Sequence, residues 1–251
     1  MTNGTWRYST DNGERLYVIG DIHGEFNALR KILAGISSDL QRRPTNQYRI
    51  IFLGDFVDRG DNSSAVIDLL ISLSDLDHII ILRGNHEAML LSILDQADGI
   101  SEWRNYGGLE TLNSFGVAIQ DVMKGRGIQI AHSDFVQKFG QARRSFIEAL
   151  PYSYQSGDYY FCHAGVRPGK ILAEQTPQDL MWIREPFLSH NDPFEKLIIH
   201  GHTPIEQIEI KRNRINIDTG AYLTQRLTCL VLEKSRVSSF DSLDPEINDI
   251  V

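Results

Sequence analysis

The sequence predicts an α/β fold from three observations: short β-branched and aromatic runs ending in glycine or histidine clusters, amphipathic stretches between the first three runs, and near-even spacing of the first run ends. The runs are Leu16–Ile19, Arg49–Leu53, His78–Leu82, Tyr159–Cys162 and Leu197–Ile199, and they read as buried strands. Between them, Phe26/Leu29/Ile32/Leu33 and Val66/Leu69/Leu70/Leu73 recur at helical spacing, and Ser63 or Ser64 is the expected cap of the second helix. The ends Asp21, Asp55 and Asn85 lie 34 and 30 residues apart. Such alternation implies right-handed crossovers and parallel strands whose carboxyl ends point to one edge.

The next interval, Asn85 to His163, is 78 residues long, and an insertion is its simplest explanation. Glu87–Leu94 and Gln141–Leu150 read as helical and Tyr106-Gly107-Gly108 as irregular, so the segment around 101–155 is expected to cap the sheet edge. Beyond Ile205 the pattern becomes hairpin-like, with strands Ile208–Lys211, Arg214–Ile217 and Leu227–Glu233 expected in a second, antiparallel sheet. The acidic stretch Asp241–Val251 reads as a frayed or loosely docked tail. No linker separates two units, so residues 1–251 are expected to form one domain with a cap-like insertion.

The chain has 251 residues, 41% hydrophobic and 23% charged, which excludes collagen-like, disordered and disulfide-scaffold classes. Its net charge is −8, and its longest basic runs are the pairs Arg42-Arg43 and Arg143-Arg144; nucleic acid is therefore not an expected partner. Apolar stretches such as Met89–Leu91 and Ile79–Leu82 are too short for a membrane span, and Met1-Thr2-Asn3-Gly4 is no signal-peptide core. Two cysteines, Cys162 and Cys229, fit a reducing cytoplasm.

Each predicted strand end carries metal-ligand chemistry: Gly20-Asp21-Ile22-His23-Gly24, Gly54-Asp55-Phe56-Val57-Asp58-Arg59-Gly60, Gly84-Asn85-His86-Glu87, His163-Ala164-Gly165 and His200-Gly201-His202-Thr203-Pro204. Parallel strands bring such ends to one crevice, where open α/β sheets hold ligands. Carboxylate, imidazole and carboxamide donors suit two divalent ions, Mn²⁺ first and Fe or Zn²⁺ as alternatives, and exclude a cysteine–zinc site. There are too many donors for one ion. Two ions sharing a carboxylate are a recurrent device for in-line displacement at phosphorus.

From Tyr17 to Gly220 these motifs, in this order, resemble the phosphoprotein phosphatase family of dinuclear metallophosphoesterases, especially its compact bacterial and phage members. The resemblance implies a calcineurin-like β-sandwich, with mixed central sheets flanked by helices. It also implies that Asp21 and His23 hold one metal, that Asp55 bridges both, and that Asn85, His163 and His202 complete the second. By the same resemblance His86 is the general acid, oriented by Asp58, and Arg59 and Arg184 grip phosphate. A hydroxide activated by both ions would attack phosphorus directly, without a nucleophilic Cys or Ser.

Other residues have plainer readings. Glu87 is a helix-start acid favoured by the dipole; His78, His132 and His190 have no motif around them; Cys162 is assigned to core packing, and His200 to core packing or to support behind the ligands. Asp218-Thr219-Gly220 is expected to shape a loop beside the site, and Asn105 lies in a segment similar to an Asn-Gly-Gly stretch of bacterial relatives, interrupted by Tyr106. The leading expectation is a serine/threonine protein phosphatase acting on a phosphorylated protein or peptide, with Thr203-Pro204 arguing for it. A dinucleoside polyphosphate hydrolase, such as one cleaving diadenosine tetraphosphate, is the alternative. An inactive phosphopeptide-binding module ranks behind both.

Overall fold

The computed structural model describes residues 8–251. Strand β1 (Arg15–Ile19), helix α1 (Phe26–Arg42), β2 (Tyr48–Phe52), α2 (Ser63–Leu73) and β3 (Ile79–Ile81) form the alternating unit, with β1, β2 and β3 parallel. Helices α3 (Asn85–Asp95), α4 (Ile100–Trp103), α5 (Gly108–Ser114) and α6 (Ile128–Ala149) follow. Then come β4 (Ser153–Ser156), β5 (Tyr159–Cys162), α7 (Pro177–Trp182), β6 (Leu197–His200), β7 (Glu209–Ile210), β8 (Arg214–Asn216), α8 (Ala221–Thr224), β9 (Thr228–Glu233), β10 (Arg236–Asp241) and β11 (Asn248–Asp249).

The strands make two mixed sheets, ordered β11-β10-β9-β1-β2-β3 and β4-β5-β6-β8-β7. Alternation along β1 shows why its sequence is apolar from Leu16 to Ile19. Leu16 and Val18 enter the core between the sheets with Tyr159, Phe161, Ile199 and Ile215, whereas Tyr17 and Ile19 face Leu29 and Ile32 of α1 and Val66 and Leu70 of α2. The same rule turns Cys162 away from the inter-sheet core, toward Leu172 and Phe187. Above the sheet edge, Leu90, Trp103, Leu112, Phe135 and Phe139 build the core of the cap and join Val57 and Ile67 below it. No helix among the described residues is long and apolar enough to cross a membrane.

Four expectations need correction. The late strands do not make a separate antiparallel sheet: β8 lies parallel to β6 in the second sheet, and β9 lies antiparallel to β1 in the first. Ile215, Leu230 and Leu232 thereby all reach the inter-sheet core, which a detached sheet would leave uncovered. The cap ends earlier than expected: the helix expected over Gln141–Leu150 is present as the second half of α6, after a kink at Gly140 (φ 77°, ψ 161°), but β4 takes 153–155 out of the cap into the second sheet. The tail is docked, because β11 pairs with β10, Ile250 packs on the inter-sheet core and Arg236 binds Asp249 at 2.5 Å. Finally, Asn62 precedes α2 in the cap position; the Ser63 hydroxyl is engaged by Asp58 N–H instead.

Candidate active site

Backbone strain marks the place where the strands end. His23, Asp55, Asp58, Arg59 and His202 all have positive φ, between 44° and 71°, although none is glycine. Each such conformation costs about 1–3 kcal/mol and persists only where the surroundings enforce it. Asp21, His23, Asp55, Asp58, Asn85, His86, His163 and His202 are all buried there. Gly201 has no room for a side chain, since a Cβ would overlap the Asp21 carboxylate.

Asp55 is the centre of the arrangement. Its Oδ2 lies 3.3 Å from His163 Nε2, 3.6 Å from His23 Nε2 and 3.9 Å from His86 Nε2. Two ligand-spaced groups share it, His23–Asp55–His86 and Asp55–His163–His202, with donor atoms within 4.8 Å of one another in each. Asn85 Oδ1 joins the second group, 2.9 Å from His163 Nε2 and 2.8 Å from His202 Nδ1. In the first group His86 stands beside His23 and Asp55. Asp21 belongs to neither group; its carboxylate accepts His202 N–H at 3.0 Å.

His86 also makes the contact expected of an oriented acid: its Nδ1 is 2.6 Å from Asp58 Oδ2. Arg59 approaches His86 Nε2 at 3.3 Å, and its guanidinium lies over the Tyr222 ring at 4.4 Å. Arg184 is exposed, and its positive charge is among those that reach His202.

Burial and crowded charge set the proton affinities. Burial, then Asp218 and Asp55, holds Asp21 well above the usual carboxylate range. Burial also lifts Asp218, with Asp55 adding to it, to about 6. Asp55 is driven well below that range because His163 and His86 outweigh its burial. The imidazoles divide: burial takes His23 and His202 down to about 3, whereas Asp55 and Asp21 overcome burial at His163 and push it up to about 9. His86 is raised too, since Asp55 and Asp58 outweigh its burial.

A family model described as calcineurin-like phosphoesterase matches residues 14–229. The chain belongs to the calcineurin-like phosphoesterases. Among its relatives, the bis(5'-nucleosyl)-tetraphosphatase PrpE [asymmetrical] of Anoxybacillus flavithermus is 28% identical, over 92% of this chain and 95% of its own. Serine/threonine-protein phosphatase 2 of Escherichia coli K12 is 27% identical over 85% and 90%. The fold is shared with the cold-active protein-tyrosine phosphatase of a psychrophilic Shewanella, with a TM-score of 0.63 at 16% identity over 95% of this chain and 80% of that one.

Calcineurin-like phosphoesterases use divalent metals, and the donor set here fits them. Three carboxylates share one buried spot, two with raised proton affinity, an arrangement that a cation relieves. His202 Nε2 is buried without a hydrogen-bond partner among the described residues, although buried polar atoms are almost always satisfied. Free Cys162 and Cys229 lie buried and outside both ligand-spaced groups.

Several residues at the site escape sequence reasoning. The Glu87 carboxylate accepts N–H bonds from Gly84, Asp55 and Phe56 at 2.8–2.9 Å, and Tyr222 packs edge-on against His23 at 5.3 Å. Trp103 and Thr111 hydrogen-bond to Asp58. Their only sequence signal is position, Glu87 in the third place of a helix and Tyr222 just after Asp218-Thr219-Gly220. The loop around Thr203-Pro204 is held by its backbone: Thr203 C=O accepts from Asn216 and Ile205 N–H donates to Asp218 C=O. Asp218 accepts Gly220 N–H, the expected loop-shaping contact. His200 is wholly buried, edge-on to Phe187 at 5.0 Å, and His78, His132 and His190 contact Tyr48, Ile93 C=O and Phe194. Asn105 is exposed, whereas Gly107 C=O accepts Arg59 N–H.

Proposed function

We propose that this calcineurin-like phosphoesterase hydrolyses dinucleoside tetraphosphates asymmetrically, releasing a nucleoside triphosphate and a monophosphate. The observation that supports this substrate most is the nearly end-to-end match to relatives named for that activity.

Asp21, His23 and Asp55 would hold one divalent ion, and Asp55, Asn85, His163 and His202 a second, Mn²⁺ before Fe or Zn²⁺. When bound, two such ions supply positive charge at the phosphoryl oxygens and lower the pKa of water. The chain's own residues do the rest. Arg59 presents a planar fork to non-bridging oxygens, held over the Tyr222 ring, and exposed Arg184 adds charge at the mouth. His86 Nε2 gives a proton to the departing oxygen while Asp58 holds Nδ1, a contribution of about 10²–10³-fold in rate. The acidic surface favours a short anionic substrate over long nucleic acid, and the free cysteines accord with work in the cytoplasm.

Hydrolysis of phosphoserine or phosphothreonine in proteins is the second reading. The E. coli relative favours it, and an oriented proton donor is worth most when the leaving group is an alkoxide. Parallel measurement of kcat/KM for diadenosine tetraphosphate and a phosphothreonine peptide, with Mn²⁺, separates the two. The nucleotide should lead by about 100-fold or more; the reverse preference would establish the phosphoprotein reading. Failure to hydrolyse either substrate, or p-nitrophenyl phosphate, would leave a phosphopeptide-binding module.

A further inference from the structure

Asp58 is fully buried and is tied from above as well as from its own loop. Its Oδ2 accepts from His86 Nδ1 at 2.6 Å and from the Trp103 indole Nε1–H at 2.8 Å, while Oδ1 accepts from the Thr111 hydroxyl at 2.7 Å. The Asp58 N–H is shared between Thr111 Oγ1 at 2.9 Å and Ser63 Oγ at 3.1 Å. Trp103 and Thr111 belong to α4 and α5 of the cap, whereas Asp58 and His86 belong to the sheet edge. A carboxylate bound on one side only can swing about its broad terminal torsion. With one oxygen pinned by a hydroxyl and the other by an indole, the plane is set, and with it the direction from which His86 Nδ1 is held.

We propose that Trp103 and Thr111 are positioning residues for the proton donor: from the cap they clamp the Asp58 carboxylate, which keeps the His86 ring turned so that Nε2 faces Arg59 and Asp55 Oδ2. As the bond between phosphorus and the leaving oxygen breaks, that oxygen keeps the electron pair and takes the proton from Nε2. His86 is left neutral and regains a proton from solvent between turnovers. The inference rests on His86 as the donor and not on which natural substrate is correct, so it is tested with small aryl esters.

Phenyl phosphate releases a phenol of pKa about 10 and needs that proton. p-Nitrophenyl phosphate releases a stabilised anion and needs it far less. In Trp103→Phe and in Thr111→Val the kcat ratio between the two esters should widen by about tenfold, with KM and bound metal preserved and Thr111→Ser restoring the ratio. A readout without turnover accompanies it: the ¹H–¹⁵N signal of His86 Nδ1–H should lose protection from solvent exchange in both variants. Equal losses on the two esters, no loss on either, an unaltered Nδ1–H signal, or losses that follow departing metal would overturn the proposal.

Discussion

The Glu87 carboxylate takes backbone N–H bonds from both loops that carry Asp55 and Asn85, so it acts as a tie between two strand ends. Burial first, with Asp55 adding to it, raises its pKa to about 7. A glutamine there would turn an NH₂ toward backbone donors, and each buried group left unsatisfied costs about 1–3 kcal/mol. Glu87→Gln should therefore lower stability in urea melts by about 2–3 kcal/mol and weaken metal retention; a change within about 0.5 kcal/mol, the range of surface substitutions, would refute the tie. The ligand-type residues were legible in the sequence because Asp, Asn and His rarely recur at successive strand ends by structural need alone. Glu87, Tyr222, Trp103 and Thr111 were not, since helices and cores use such residues everywhere and only three-dimensional proximity singles these out.

At the scale of elements, the cap reaches the site through the turn between α4 and α5. Gly107 there has φ 96°, its C=O accepts Arg59 N–H at 3.1 Å, and a Cβ would collide with the Arg59 backbone. Gly107→Ala combines left-handed strain of about 1–2 kcal/mol with displacement of Arg59, the arginine proposed to grip phosphate. It should reduce kcat/KM for p-nitrophenyl phosphate by about tenfold, equivalent to about 1.4 kcal/mol. A wild-type value would show that the cap does not position Arg59. Strands β1, β5 and β6 were readable because both of their faces are buried and their sequences are apolar along most of their length. Which sheet β8 and β9 would join was not readable, because that choice is made by long-range packing of Ile215, Leu230 and Leu232 and not by local periodicity. The first half of α6 was hidden by the break at Gly140.

Across the whole molecule, a second charged cluster stands at the end of the first sheet opposite the site. Asp39 accepts from Tyr17 at 2.5 Å, Arg15 at 3.1 Å and Arg43 at 2.8 Å, and Glu233 of β9 binds both arginines at 2.9 Å. Burial alone would raise Asp39, yet the Arg43 and Tyr17 hydrogen bonds and the two cations hold it below the usual range; Glu233 is lowered likewise. Carboxylates with a depressed folded-state pKa stabilise above their unfolded pKa and lose that contribution as pH falls through the folded value. The Tm should thus fall from about pH 4 downward, and Asp39→Asn should lower Tm at neutral pH while flattening the acid dependence; an acid limb as steep in the variant would reject this source. Elsewhere Arg143 pairs with Asp68 and Arg144 with Asp95 and Glu148, on a chain of net charge −8 whose attraction for anions is expected in the crevice. That crevice is where the account is most exposed. Bound metal per chain, measured after equilibration with Mn²⁺ and gel filtration, should be about two ions for the wild type, and Asp55→Asn should lose metal and phosphoesterase activity together. Retention of both ions by Asp55→Asn, or undiminished wild-type hydrolysis after exhaustive chelation, would contradict it.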